Sequence, residues 1–276
     1  MKCAPFDYVR ASSVEETVKV LADAGGDGKI LAGGQSLVPV LALRMARPTV
    51  LVDVNRIPGL AAIRPGADPG GAIDVGALVR HSRLVEQASH PLLAEAARWI
   101  GHAAIRTRGT LGGSIAHADP SAELPAVAVA TGATATVAGP AGMRTVAAED
   151  LFTGALTTVL DDDEMITGVR FPVPARWGFA EFARRHGDFA LVTAVVAEIG
   201  GAVRIVLGGV GPVPRRVTDA ERVIADGGPA RSAAAAAAEE IDPTADLHGS
   251  APFRRAIAAE MVRRALAQAG FEQETA

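Results

Sequence analysis

The 276-residue chain predicts an α+β protein in two parts, and three observations carry that expectation. Its first third alternates strand-type and helix-type runs around glycine turns, as an α/β layer does. After about residue 176 the character changes to two long β-type runs followed by alanine-rich helical segments. Between the two, "FPVP" puts Pro172 and Pro174 at a natural boundary.

The stretch "SSVEETVKVLADAGG" reads as a helix that Ser13 caps, with Glu16 completing a capping box and Gly25 or Gly26 ending it. "KILAG" is then a short buried strand and "TVLVDV" (49–54) another. Between them the turn "AGGQS" leads into a short helix interrupted near Pro39. "AIDVGAL" (72–78) is a further strand, and "HPLLAEAARWIGH" (90–102) a helix with Pro91 in its first turn. "GTLGGSIAHADPSAELPAVAVATGA" (109–133) supplies a second glycine turn and a helix from Ser121. The strands "TATV" and "MRTV" follow, and "MITGVRFPVP" closes this part.

In the last third, "ALVTAVVAEIGGAVRIVLGGVG" reads as two strands joined in a hairpin through Gly200-Gly201. "ARSAAAAAAEEI" and "APFRRAIAAEMVRRALAQAG" have strong helix propensity, and the second is amphipathic. A small antiparallel sheet packed with helices is expected there.

Composition excludes several function classes. A net charge of −4 and a pI of about 5.9 offer nucleic acid or an anionic membrane no global attraction. "MKCAPFDYVR" has no apolar leader, and no apolar run reaches membrane-spanning length, so a cytoplasmic protein is expected. Cys3 is the only cysteine, which rules out an internal disulfide or a four-thiolate iron–sulfur cluster in this chain. The histidines His81, His90, His102, His117, His186 and His248 form no HExxH and no i, i+4 helical pair. Redox metal chemistry, if the chain takes part in any, belongs to another subunit.

The candidate site lies in the two glycine turns. In "AGGQS", glycines let the backbone approach a ligand closely, and successive N–H groups from Gly33 to Ser36 can point into one concavity. The Ser36 hydroxyl and the positive end of the next helix add to an anion site that needs no lysine. "TLGGS" repeats the device, with paired glycines between Thr110 and Ser114. Two such turns can grip one diphosphate from two sides. Asp119 and Glu123 then suit ribose hydroxyls or an adenine amine, although "DPSAE" reads equally well as a capped helix start. "GGVGPVP" (208–214) ends a strand and runs into prolines, so it reads as a structural turn.

The motifs "AGGQSLVP", "RTRGTLGGSIAHADPSAELP", "RRHGDFALV" and "RIVLGGVGPVPRR", in this order, resemble the FAD-binding medium subunit of molybdenum hydroxylases. That group contains bacterial carbon monoxide dehydrogenase and, as a fused domain, xanthine dehydrogenase. The resemblance runs over nearly the whole chain. It implies a two-subdomain FAD-binding domain of the vanillyl-alcohol-oxidase (PCMH) type over residues 1–176, divided near residue 56. A smaller C-terminal α+β domain of the carbon monoxide dehydrogenase flavoprotein type follows over 177–276. It further implies that Ala32, Gly33, Gly34, Gln35, Ser36 and Leu37, with Thr110, Gly112, Gly113 and Ser114, hold the FAD diphosphate. By the same resemblance Glu123 contacts FAD, Ile166 lies near a residue touching the flavin, and Phe189 stands beside the isoalloxazine. From the residues alone, Phe189 reads as a core aromatic.

The resemblance implies partners as well: a small subunit with two [2Fe–2S] clusters and a large subunit with a molybdopterin-type molybdenum cofactor, paired as a dimer of heterotrimers. Electrons pass from the clusters through FAD to an external acceptor. Gln35 stands where carbon monoxide dehydrogenases usually show His, which favours an N-heterocycle, aldehyde or other organic substrate over CO. Ser114 replaces the Asn of many relatives and keeps hydrogen-bonding capacity. Ala180 stands about where xanthine dehydrogenase has a lysine, and it receives no role. No residue reads as an acid–base catalyst. Other readings on the sequence are a carbon monoxide dehydrogenase medium subunit, a stand-alone flavin oxidoreductase on the same fold, and a non-redox nucleotide-binding module.

Overall fold

A computed structural model describes residues 2–66 and 71–271. The chain opens with β1 (Asp7–Arg10), α1 (Val14–Asp23), β2 (Gly28–Leu31), α2 (Leu37–Ala42) and β3 (Val50–Asp53). The strands form a three-stranded sheet in the order β1-β3-β2, parallel throughout. Ser13 caps α1 as expected, its Oγ accepting from the Glu16 N–H at 3.1 Å. The Glu16 carboxylate, however, closes on Ser12, accepting from its N–H and its hydroxyl at 2.7 Å each. Nor does Pro39 interrupt α2. It falls in the first turn, where its missing N–H would have had no helical acceptor.

The second part begins with β4 (Ile63–Pro65), β5 (Ala72–Gly76), α3 (His81–Val85), α4 (Pro91–Trp99) and α5 (Ala103–Arg106). It continues with α6 (Leu111–His117), α7 (Glu123–Thr131), β6 (Thr134–Gly139), β7 (Gly142–Ala147) and α8 (Ala148–Leu151). The short β8 (Phe152–Gly154) and β9 (Thr157–Thr158) pair with each other, and β10 (Met165–Pro172) completes a five-stranded antiparallel sheet, β4-β5-β10-β6-β7. Helix α4 starts at Pro91 because His90 caps it. The His90 Nδ1 accepts from the Leu93 N–H, and Nε2 meets the Pro172 carbonyl at 3.0 Å. This histidine is wholly buried and structural.

Two expectations here need correction. The second glycine motif is not a turn before a helix: Gly112 and Gly113 lie inside α6. And the next helix starts at Glu123 rather than Ser121, with neither Asp119 nor Ser121 as its cap. The Asp119 carboxylate instead takes the Ser121 N–H at 2.8 Å, a local turn that delays the helix. Every residue of α7 is buried.

The third part comprises β11 (Arg176–Phe182), β12 (Val192–Ile199), β13 (Ala202–Gly208) and β14 (Arg215–Arg216), then α9 (Thr218–Ala225), α10 (Ala230–Glu240) and α11 (Ala251–Gln268). The four strands form one antiparallel sheet in chain order. The β12–β13 hairpin turns through Gly200 (φ 59°) and Gly201 (φ 82°), the left-handed pair that a tight hairpin requires. Alternation along these strands gives the sheet two buried faces. Phe179, Val195, Ala197 and Val206 join the core around α7, whereas Ala180, Val196, Ile205 and Leu207 pack on α9, α10 and α11. Helix α7 is thereby enclosed between the two sheets.

Candidate functional site

The first glycine motif leaves the end of β2 and crosses to α2. Gly33 is buried, and a Cβ there would overlap the Arg108 carbonyl oxygen and stand 2.8 Å from the Gly109 Cα. Backbone therefore meets backbone at a seam between two segments remote in sequence. Gly34 takes the left-handed region at φ 71°. None of the N–H groups from Gly33 to Leu37 donates to an acceptor among the described residues. The Gln35 amide folds back onto the Gly33 carbonyl at 3.3 Å, and the Ser36 side chain is exposed, with no cap bond to α2. Ala32 and Leu37, half-buried, flank the turn.

The second motif works differently from the expectation. Its N–H groups are already used: Leu111 donates to Val79 O (2.9 Å), Gly112 to Ala77 O (2.8 Å), Gly113 to Thr110 Oγ1 (3.1 Å) and Ser114 to Thr110 O (3.0 Å). It is no second nest of free donors. Its glycines serve contact instead, since a Cβ on Gly112 would come within 2.6 Å of the Ala77 Cβ. What α6 presents is the Ser114 hydroxyl, 3.1 Å from His81 Nε2. His81 is buried, and burial first, then the positive Arg80 and Arg106, push it down to about 4. The ring is thus neutral, and its buried Nδ1 has no partner. The contact with His81 Nε2 fixes the Ser114 hydroxyl on the face of α6.

A polar network that sequence reasoning missed holds this seam together. Asn55 donates its Nδ2 to Ala32 O (2.8 Å) and Asp53 Oδ1 (2.7 Å), while its Oδ1 accepts from Arg80 Nη2 (2.6 Å). The other Arg80 nitrogen, Nη1, donates to the Arg108 carbonyl, and the Tyr8 hydroxyl donates to Asp53. No spacing announces these residues, because apart from the local Asp53–Asn55 pair each bond joins side chains and carbonyls far apart along the chain.

The remaining predicted residues divide. Ile166 on β10 is buried in the core with Val137 opposite, so its side chain faces packing rather than a cleft. Phe189 is 74 % exposed, which overturns the reading as a core aromatic. Its segment lies against the loop after α4: a Cβ on Gly187 would overlap the His102 ring, and Trp99 and His186 stack edge-on at 5.8 Å. Asp119 is occupied by its turn, and Glu123 is buried at the start of α7. Burial pushes the Glu123 carboxyl up, with Asp119 adding in the same direction. Glu181, on the α7-facing side of β11, is also buried and pushed up, by burial and then by Glu123.

The third glycine cluster is a structural turn that touches this region. Gly209 donates its N–H to Pro120 O at 2.8 Å, and Arg254, buried on α11, donates Nη1 to the carbonyls of Leu191 (2.8 Å) and Gly209 (3.1 Å). Arg254→Met strands both carbonyls, and a loss of about 1–3 kcal/mol in urea unfolding is expected. An unchanged midpoint would show that water replaces the guanidinium.

Residues 4–174 match the FAD binding domain in molybdopterin dehydrogenase, and residues 177–269 match the CO dehydrogenase flavoprotein C-terminal domain. The chain belongs to the FAD-binding medium subunits of the molybdenum hydroxylases. It is 43 % identical to the 6-hydroxypseudooxynicotine dehydrogenase complex subunit alpha of Paenarthrobacter nicotinovorans, over 98 % of this chain and 96 % of that one. The carbon monoxide dehydrogenase medium chain of Hydrogenophaga pseudoflava is 38 % identical, over 95 % and 96 %. Among solved structures, quinoline 2-oxidoreductase from Pseudomonas putida 86 superposes with a TM-score of 0.90 at 38 % identity, over 98 % of each chain. As a member of these medium subunits the protein is an oxidoreductase component with an FAD-binding domain, and the solved carbon monoxide dehydrogenase of Hydrogenophaga pseudoflava is an enzyme of the molybdenum cofactor. Among the described residues no helix is long and apolar enough to cross a membrane.

Proposed function

We propose that the seam between the two glycine motifs seats the FAD diphosphate, and that this chain relays electrons for a hydroxylase of organic substrates. The observation that carries the reading is the backbone contact at Gly33, above which the N–H groups from Gly33 to Leu37 have no acceptor of their own. Those donors, with the Ser36 and Ser114 hydroxyls, fit a dianionic bridge without any lysine. Ala32, Gly34, Gln35 and Leu37 shape the first side; Thr110, Gly112 and Gly113 hold α6 so that Ser114 faces it. Glu123 and Asp119 lie on the adjoining helix start, Phe189 offers an exposed ring for the flavin face, and Ile166 supports the floor from within the core. When bound, FAD accepts electrons from a one-electron donor and returns them to an acceptor. The protein contributes position, electrostatics and the exclusion of water.

In this reading residues 1–176 form the FAD domain, divided near residue 56, and 177–276 the C-terminal domain. The small [2Fe–2S] subunit and the large molybdenum subunit complete a heterotrimer that pairs in the cytoplasm and reduces an external acceptor. An N-heterocycle, aldehyde or similar organic substrate is favoured over CO. Gln35 is one reason, and the relatives named for a nicotine derivative and for quinoline are the other. The test is co-expression with the neighbouring genes. A yellow complex with about one FAD per copy of this chain is expected, and flavin bands that a quinoline-type substrate bleaches only when all three subunits are present. A complete complex without flavin would overturn the proposal.

A further inference from the structure

We infer that Arg80 is a cofactor-positioning residue which, through Asn55, delivers positive charge to the Gly33 N–H; the inference rests on the seam being the diphosphate site. The connection is an unbroken hydrogen-bond relay. Arg80 Nη2 donates to Asn55 Oδ1 at 2.6 Å, and Asn55 Nδ2 donates to the Ala32 carbonyl at 2.8 Å. The peptide that carries the Ala32 carbonyl also carries the Gly33 N–H, which has no acceptor of its own among the described residues. Hydrogen bonds in series polarise one another, so a charged donor at one end strengthens the donor at the other. The same guanidinium reaches across the seam with Nη1 to the Arg108 carbonyl, the atom that Gly33 packs against. A planar fork that binds two acceptors on two segments fixes their spacing as well as their field.

The orientation of the amide is determined by its surroundings. Asn55 Nδ2 faces the carbonyls of Ala32 and Leu31 and the Asp53 carboxylate, all acceptors, while Oδ1 faces the guanidinium. Asp53, anchored by the Tyr8 hydroxyl and accepting the Asn55 N–H at 2.9 Å, holds Asn55 in place. The neighbouring Arg106 does not compete for the role. Its Nη1 is committed to the carbonyls of Ile100 (3.0 Å) and Gly101 (2.8 Å) at the end of α4. The lysine absent from both glycine motifs thus has a counterpart in an arginine behind the loops rather than over the ligand.

The experiment is FAD titration of the deflavinated complex by quenching of flavin fluorescence, at several salt concentrations, with the melting point of each apo form alongside. Arg80→Gln is expected to raise the Kd about 10–100-fold and to flatten its dependence on salt. Arg80→Lys, which keeps the charge and loses the fork, is expected to fall between and to keep the salt slope. A purely structural role would lower the apo melting point and leave the slope unchanged. If Arg80→Gln binds FAD within twofold of the unaltered complex, with the same slope, while Gly33→Ala loses its flavin, the relay is overturned and the site stands. If neither variant affects binding, the placement of the site is what fails. Should Arg80→Gln not fold, Asn55→Ser, which cuts the relay and spares the guanidinium, decides the matter by the same twofold criterion.

Discussion

Gly33→Ala is expected to cost the protein most of its flavin. The added Cβ would overlap the Arg108 carbonyl oxygen and press on the Gly109 Cα, and both are backbone atoms that cannot rotate aside. One segment has to move, at a cost of about 1–3 kcal/mol for this kind of overpacking. Because the unpaired N–H groups ride on the same turn, their displacement is charged to binding as well as to folding. An affinity about 10–100-fold weaker follows, with flavin well below one per chain after purification. The measurement is the ratio of flavin to protein absorbance, with Gly211→Ala as the comparison, since the backbone there is not left-handed and a Cβ at Gly211 would meet nothing closer than the Val213 carbonyl oxygen at 4.0 Å. Full flavin in Gly33→Ala would mean the two segments part without consequence, and the seam would cease to be a site.

Glu181→Gln is expected to stabilise the protein above neutral pH and to leave it unchanged near pH 4. Glu123 at the start of α7 and Glu181 on β11 are both buried and act on each other, and among the described residues the only side-chain hydrogen bond for Glu181 is a long one, 3.5 Å, from Thr193. Burial raises both carboxyls, and the charge of Glu123 raises Glu181 further, while Asp119 acts on Glu123. A carboxyl whose folded value is raised binds its proton more tightly in the native state than in the unfolded chain. Its stabilising contribution is therefore full below the ordinary carboxylate range, about pH 4.5, and is lost as pH rises through the raised folded values. Gln removes one ionisation from the pair, so thermal unfolding at pH 8 should show a gain of about 1–3 kcal/mol that vanishes in acid. A gain of the same size at every pH would show that the pair does not titrate between folded and unfolded forms.

How far the sequence could be read depended on whether a feature repeats locally. The hairpin through Gly200-Gly201, the strands of "TVLVDV" and the alanine-rich α10 all declare themselves through runs or periodicity, and the order of four motifs identified the family. β1 does not, because "DYVR" has neither a run nor an alternation of apolar residues and becomes a strand only when β3 offers it an edge. β11 was missed for a related reason: Gly178 and Glu181 interrupt it, and Gly178 is there because α11 presses its Ala265 carbonyl onto that spot. At the site, the glycine pairs were visible but their division of labour was not. One pair frees its donors, and the other packs against the connection between β5 and α3, a difference that resides in partners such as Val79 and Ala77. Arg80 with Asn55, and His81 with Ser114, bridge 25 and 33 residues of chain, distances over which no local pattern operates.

The enclosure of α7 has a practical meaning for anyone who would divide this chain at its prolines. The helix exposes none of its nine residues, and only Glu123 and Thr131 among them are polar. Separating the halves would wet that surface on one fragment and its matching sheet face on the other, leaving two adhesive pieces in place of two modules. Because the buried helix is shared across the boundary, the second and third parts form one packed body whose sheets cannot separate without exposing it.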